Sequence, residues 1–225
     1  MTDISNLIKM FLIGPYPNGP IGGLAINIFL AVTAMASGFV LGLFLALGRL
    51  SKNIVVSRIV TCFIEVTRAL PLLLVVFWLY FVVPLFAERP LPALLGAYLA
   101  LTVYSAVNQA EIFRGGLMNI PVGQWQAAFS TGLSHYQCTL HVILPQTLRM
   151  TLPSFAGFLI SLFKDTSVVY IIGIIDLTLI GKSLSQREPD MFFLSYLLMA
   201  ALYFIVCFAI SFIFKKWEVR LKNGI

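Results

Sequence analysis

The chain has 225 residues, of which 60% are apolar and 11% charged, against roughly 25% charged in an ordinary soluble domain. That is too little charge to coat a water-facing surface, so a soluble globule, a disordered chain and a disulfide scaffold are excluded. The length becomes a count of bilayer crossings, and the net charge of +6 becomes a question of which membrane face holds the basic residues.

Crossing a hydrocarbon layer about 30 Å thick takes about 20 apolar residues. Residues 1–23 read as an N-terminal flank resting on the membrane surface. A cleavable leader is not expected, because Asp3 stands where a basic region belongs and Pro15, Pro17 and Pro20 interrupt any early apolar helix. The first span is 24–48, with Gly38 and Gly42 in a small-residue pattern that permits close helix approach. The second, 59–85, holds Glu65 and Arg68, expected to pair, and Pro71, which removes a backbone hydrogen bond and kinks the helix.

The third span, 91–110, carries Tyr104 and Asn108 on one stripe with Glu111, and Glu111 is expected to pair with Arg114 three residues on. A long polar segment follows. The fourth span, 151–175, joins two apolar halves, each too short to cross, through Lys164 and Asp165, read as an ion pair near its middle. The fifth is 191–214, and residues 216–225 form a basic tail.

Lys and Arg concentrate on the cytoplasmic side of a membrane. Nine lie in the segments after spans one, three and five, and four lie on the opposite side. An odd number of spans then puts the N-terminus outside, the C-terminus inside and residues 121–145 in the cytoplasm. In that segment Trp125, Phe129, Leu133, Tyr136 and Leu140 recur at helical steps, which predicts one amphipathic helix interrupted by Gly132. A glycine there would suit close approach by another chain; the pattern fits either the headgroup layer or a protein partner.

Gln126-Ala127-Ala128, three residues, Gly132, nine residues and Val142-Ile143-Leu144-Pro145 resemble the Glu-Ala-Ala loop of ABC-importer permeases, with Gln for Glu and Val for Ile. The runs Ala110–Gly116, Ile120–Gln124, Ile143–Gln146 and Lys164–Ser167 are similar to its polar-amino-acid branch (histidine, glutamate and aspartate types). Arg68-Ala69-Leu70-Pro71-Leu72 stands where that branch often has Arg-Gly-Thr-Pro-Leu.

The resemblance implies an all-α integral membrane protein of five transmembrane helices with a cytoplasmic coupling helix, the type I importer transmembrane domain, over residues 24–215. It implies a site in the bacterial cytoplasmic membrane. The implied partners are a second permease subunit, alike or similar, a dimer of ATP-hydrolysing subunits gripping the coupling helix through Gln126, Ala127, Ala128, Gly132, Leu144 and Pro145, and an external amino-acid-binding protein. The chain is then a transporter subunit and not an enzyme, with no cofactor and no nucleic-acid partner. Gly181-Lys182-Ser183 imitates the end of a phosphate-binding loop but lacks the required upstream glycine, Asp176 standing there.

A charge at mid-bilayer costs about 2.5–3.5 kcal/mol on insertion scales. Lys164 and Asp165 lie about 20 Å along the helix axis from Thr151, near that depth. Together with Ser161, Thr166, Ser167 and Asn108 they are candidates for a substrate path; Glu65, Arg68, Glu111 and Arg114 are candidates for a gate or a structural lock. Lys164–Tyr170 and Phe77–Pro84 look closest to glutamate/aspartate-type members, so the substrate lean is acidic, although Asp165 and Glu65 offset Lys164 and Arg68 locally. The competing readings are an ion-gradient-driven transporter or exporter, which leaves the cytoplasmic helix unexplained, and a membrane scaffold, which has no reason to keep intramembrane charge. Cys62, Cys138 and Cys207 read as packing residues, and His135 and His141 have no companion ligands for a metal.

Overall fold

The computed structural model describes residues 4–223. Residues 1–3 and 224–225, which end the expected flank and tail and include Asp3, lie outside the described residues, as does the side chain of Lys222. Among the described residues the regular elements are helices, with one isolated bridge between Gly23 and Asp176. The flank forms helix α1 (Ile4–Ile13). Its Leu7 and Phe11 are buried with Leu24 and Leu177, so it folds back over the bundle while Ile8, Met10 and Leu12 stay exposed.

Helix α2 (Gly23–Arg49) lies against α6 (Ala93–Met118). The contact is close because Gly38 and Gly42 leave room: a Cβ on Gly38 would stand 2.5 Å from Ser105 Oγ, and one on Gly42 2.8 Å from the Ala106 carbonyl oxygen. The GxxxG therefore serves packing within the chain. Phe39 of α2, Phe113 of α6 and Phe155, further along the chain, close one core layer, with centroids 4.9 to 5.3 Å apart.

Helix α3 (Ile54–Ala69) begins where Asn53 caps it, its side chain accepting from the Val55 and Val56 amides. It stops at Leu70, which is extended (ψ 136) as a residue before proline prefers. Helix α4 (Leu72–Phe77) then sets off in a new direction, continues through a π turn (Trp78–Val82) and ends as α5 (Val83–Ala87). The Ile54–Ala69 and Leu72–Phe86 segments are bent by 110°. Pro71 thus breaks the second expected span rather than kinking it.

The segment expected in the cytoplasm, residues 121–145, opens with two helices, α7 (Val122–Ser130) and α8 (His135–Cys138). This corrects the single helical face drawn through Trp125 and Leu140. Gly132 adopts φ +80, a left-handed turn that ends α7, and Ser134 opens α8 in a capping box with Gln137. A Cβ at Gly132 would meet nothing within 4 Å, so backbone conformation accounts for this glycine without a close neighbour.

A second π turn (Thr139–Ile143) leads into α9 (Leu144–Asp165). Both π turns precede a proline, Pro84 or Pro145, whose missing N–H and bulky ring disturb the ordinary helical ladder. After Asp165 the chain tightens to a 3-10 helix (Thr166–Ile172) and turns at Gly173 (φ +86). It re-enters as α10 (Leu177–Arg187), then α11 (Phe192–Asn223).

Among the described residues three stretches are long and apolar enough to cross a bilayer, Gly23–Arg49, His135–Ile172 and Pro189–Arg220, and the bent pair makes a fourth if it counts as one. Helix α6 is as long, but Asn108, Gln109 and Glu111 lower its apolarity. Its small and polar residues, including Gly96, Ala100, Ser105, Ala106 and Gln109, are buried by its neighbours. A helix shielded from lipid by protein needs less apolar surface of its own.

Candidate functional site

Helix α9 turns Gly157, Ser161 and Lys164 outward on one face, each of them exposed. The steps of four and three keep them in line along the helix. Lys164 and Asp165 do not form the expected ion pair; among the described residues neither takes part in one. Consecutive helical residues point about 100° apart, and so cannot face each other. Asp165 is half-buried, within electrostatic reach of Tyr104 on α6. Asn108, one turn from Tyr104, is half-buried and donates from Nδ2 to the Tyr104 carbonyl at 2.8 Å. Its amide is held by its own helix, and the Tyr104–Asn108 stripe and Asp165 lie on facing elements.

Thr166, expected on the substrate path, is fully buried. Its hydroxyl donates to the Phe163 carbonyl at 2.6 Å and accepts from Asn27 Nδ2 at 2.9 Å, so both of its roles are taken. It belongs to packing beneath the face that Lys164 presents. Ser167 is half-buried beside it.

The charged residues near the ends of α2, α3 and α6 gather into one network. Glu111 is the hub: Arg49 Nη1 reaches its Oε2 at 2.7 Å, Arg68 Nη1 the same oxygen at 3.3 Å, and Arg114 Nε its Oε1. Arg49 Nη2 also binds Glu65 Oε1 at 2.8 Å. The Glu111–Arg114 pair is formed. The Glu65–Arg68 pair is not, because each side chain finds a partner on another helix. Arg49, read from sequence only as a cytoplasmic charge, is the residue that joins the two carboxylates.

In the segment after α6, Ala128 is buried with Leu117, Ile120, Cys138 and Ile143, while Gln126 and Ala127 are exposed. Leu144 is half-buried and Pro145 exposed. Trp125, Phe129 and His135 form an aromatic cluster across the Gly132 turn, with centroids 5.6 to 6.2 Å apart. Gln146 Nε2 donates to Gln124 Oε1 at 3.2 Å and holds the two ends of the segment together.

A polar cluster absent from the sequence reading lies at the far side of α9. Asn27, on α2, is fully buried, as is Asp176. Asn27 Nδ2 lies 2.9 Å from Thr166 Oγ1, 3.2 Å from Asp176 Oδ2 and 3.4 Å from the Tyr203 hydroxyl; its Oδ1 accepts from the Leu177 amide at 3.0 Å. Asp176 caps α10 through the Leu179 amide at 2.8 Å. Burial pushes its carboxyl up, against the Leu179 N–H and the Asn27 amide, which pull it down. Two signals were available: a lone Asn in an apolar span, and an Asp one residue before a helical run.

The family model described as "Binding-protein-dependent transport system inner membrane component" matches residues 38–222. The chain is 35% identical over 210 residues to the "Inner membrane amino-acid ABC transporter permease protein YhdY" of Escherichia coli (strain K12), covering 90% of this chain and 56% of YhdY. It thus spans little more than half the length of that relative. It is 33% identical over 200 residues to the "Probable glutamine ABC transporter permease protein GlnP" of Bacillus subtilis (strain 168), covering 88% of this chain and 91% of GlnP. Among solved structures, it resembles a chain of an amino acid ABC transporter crystallised with histidines, with a TM-score of 0.83, 28% identity, and coverage of 98% of this chain and 99% of that one.

Proposed function

The chain belongs to the family of binding-protein-dependent transport system inner membrane components, and we propose that it is the membrane-spanning permease subunit of an ATP-driven importer of polar amino acids. It carries no catalytic step itself. ATP hydrolysis falls to a separate subunit dimer, and delivery to an external binding protein. The observation that carries this reading is the outward face of α9, where Lys164 follows Ser161 and Gly157 in the middle of a span. A cation at that depth does not face lipid. It faces an aqueous path or a second permease subunit, and the pair of subunits encloses the path between them.

In this reading Lys164, Asp165, Ser161, Ser167 and Asn108 line or adjoin the path, and Thr166 supports it. The arginine network on Glu111, with Glu65, Arg68 and Arg114, closes its cytoplasmic end. Residues 121–145 dock on the ATPase through exposed Gln126 and Ala127, with buried Ala128 and the Gly132 turn setting their presentation and Leu144 and Pro145 leading the chain back into the membrane. The chain crosses the membrane five times within residues 24–215: α2, the bent α3–α4 pair, α6, α9 and α11, with the N-terminus outside. Helix α6, at 26 residues, is about 39 Å long at 1.5 Å per residue, ample for one crossing.

The substrate lean is an acidic amino acid, drawn from Lys164. The B. subtilis relative is named for glutamine, which differs from glutamate only at the side-chain end, an amide in place of the carboxylate. The test is ATP-driven uptake by the whole assembly, reconstituted with its ATPase and binding protein, of acidic, amide, basic and neutral amino acids. Uptake is expected for the acidic or amide class, and Lys164→Ala is expected to lower it at least about tenfold with normal assembly, the loss of one charge-assisted contact. Unchanged uptake in Lys164→Ala would remove the path from this face of α9.

A further inference from the structure

The cluster around Asn27 joins three helix ends, with Asn27, Thr166 and Asp176 fully buried. Helix α9 ends at Asp165, the 3-10 helix begins at Thr166, and α10 begins at Leu177. Helix ends leave backbone groups unpaired. Here the Thr166 hydroxyl takes the Phe163 carbonyl, the Asn27 carbonyl oxygen takes the Leu177 amide, and Asp176 takes the Leu179 amide. The Asn27 amide nitrogen ties Thr166 to Asp176 across 139 and 149 residues of sequence. The Tyr203 hydroxyl, 3.1 Å from Thr178 Oγ1, brings in α11.

The position of the junction matters for what precedes it. An α-helix advances about 1.5 Å per residue and a 3-10 helix about 2.0 Å, with fewer residues per turn. Moving the switch by one residue therefore rotates and shifts the side chains on either side of it. Thr166 is the first residue after the switch, and Lys164 and Asp165 are the last two before it. The hydroxyl of Thr166 is pinned by a side chain of α2, itself anchored where the Gly23 amide binds the Ile175 carbonyl at 2.8 Å.

We propose that Asn27, Thr166 and Asp176 form a positioning centre that fixes the α-to-3-10 junction and thereby sets how Lys164 and Asp165 are presented to the substrate. None of the three touches the substrate; they act through the junction. The inference rests on the substrate-path reading of Lys164.

The experiment uses the reconstituted assembly and whichever of radiolabelled glutamate, glutamine or histidine it takes up best. Thr166→Val keeps the shape and removes the hydroxyl. It is expected to raise the half-saturating substrate concentration roughly tenfold, the effect of losing one buried hydrogen bond at the junction. Assembly and ATPase activity without substrate should stay within about twofold, since valine fills nearly the same space as threonine and leaves no cavity. Thr166→Ser, which restores the hydroxyl, should recover most of that loss. Lys164→Gln combined with Thr166→Val should lose less than the sum of the two single losses, because the part of the positioning effect that acts through Lys164 vanishes with it and only the part through Asp165 is left.

Wild-type half-saturation in Thr166→Val, with a defect in Lys164→Gln, overturns the positioning centre and leaves the path intact. Wild-type behaviour in Lys164→Gln removes the path, and this inference with it. If Thr166→Val does not assemble, Tyr203→Phe, which deletes only the outermost hydroxyl, decides. A rise of about twofold in half-saturation is expected from so long a contact, and none at all overturns the proposal.

Discussion

At the scale of single residues, Glu111 and Glu65 separate what two carboxylates of the same kind are worth. The Glu111 side chain is 18% exposed and faces three guanidinium groups, whereas that of Glu65 is 60% exposed and meets one. Exposed pairs contribute about 0–1 kcal/mol, while a mostly buried charge left without its partner costs several. Glu111→Gln is therefore expected to lower stability by about 1–3 kcal/mol and Glu65→Gln by less than about 1 kcal/mol, read as unfolding in detergent. Equal losses would show that the hub is solvated like any surface pair. Arg49 explains why this network could not be paired up from local spacing: its Glu111 contact joins residues 62 apart in sequence.

Elements pack through their small residues, and the glycines of α2 and α6 are not equivalent. A Cβ at Gly38 would stand 2.5 Å from the Ser105 hydroxyl and 2.9 Å from Gln109 Nε2, whereas one at Gly115 would meet nothing within 4 Å. Overpacking a close contact costs about 1–3 kcal/mol, and Gly-to-Ala in a helix interior gains up to about 1 kcal/mol where there is room. Gly38→Ala should destabilise the chain and Gly115→Ala should be neutral or stabilising in thermal unfolding. The reverse order would mean that α2 and α6 are not held this close. Element boundaries divide in the same way. Pro71 announces the break between α3 and α4, and Gly132 with Ser134 and Gln137 spells a helix stop followed by a capped start. The aromatic spacing from Trp125 to Leu140 nonetheless reads as one helix, because a turn of four residues can preserve the phase of a helical stripe.

For the molecule as a whole, the orientation in the membrane is the premise that joins the α7–α8 segment to an ATP-driven partner. A cysteine at Ser134, in a chain whose Cys62, Cys138 and Cys207 are replaced by serine or alanine, should escape an impermeant thiol reagent in intact cells and react once the membrane is opened. Labelling in intact cells would invert the topology. The number of crossings shows why composition and packing must be read together: α6 is long enough to cross but carries Asn108, Gln109 and Glu111, and its neighbours bury much of its surface.

The chain's apolar runs, its proline and glycine punctuation, its Lys/Arg asymmetry and the loop pattern at Gln126–Pro145 are local or additive, and they determined the class of protein, the family and the candidate path at Lys164. Four features needed the third dimension: the Arg49–Glu111 hub, the Asn27–Asp176 cluster, the burial of Thr166 and the separation of Lys164 from Asp165. Three of these depend on residues brought together from distant parts of the chain, or buried by them, and the fourth on the angle between neighbouring side chains. A polar side chain inside a membrane must find a partner or a wet surface, and the sequence states that need; which of the two it finds is decided only when the helices pack.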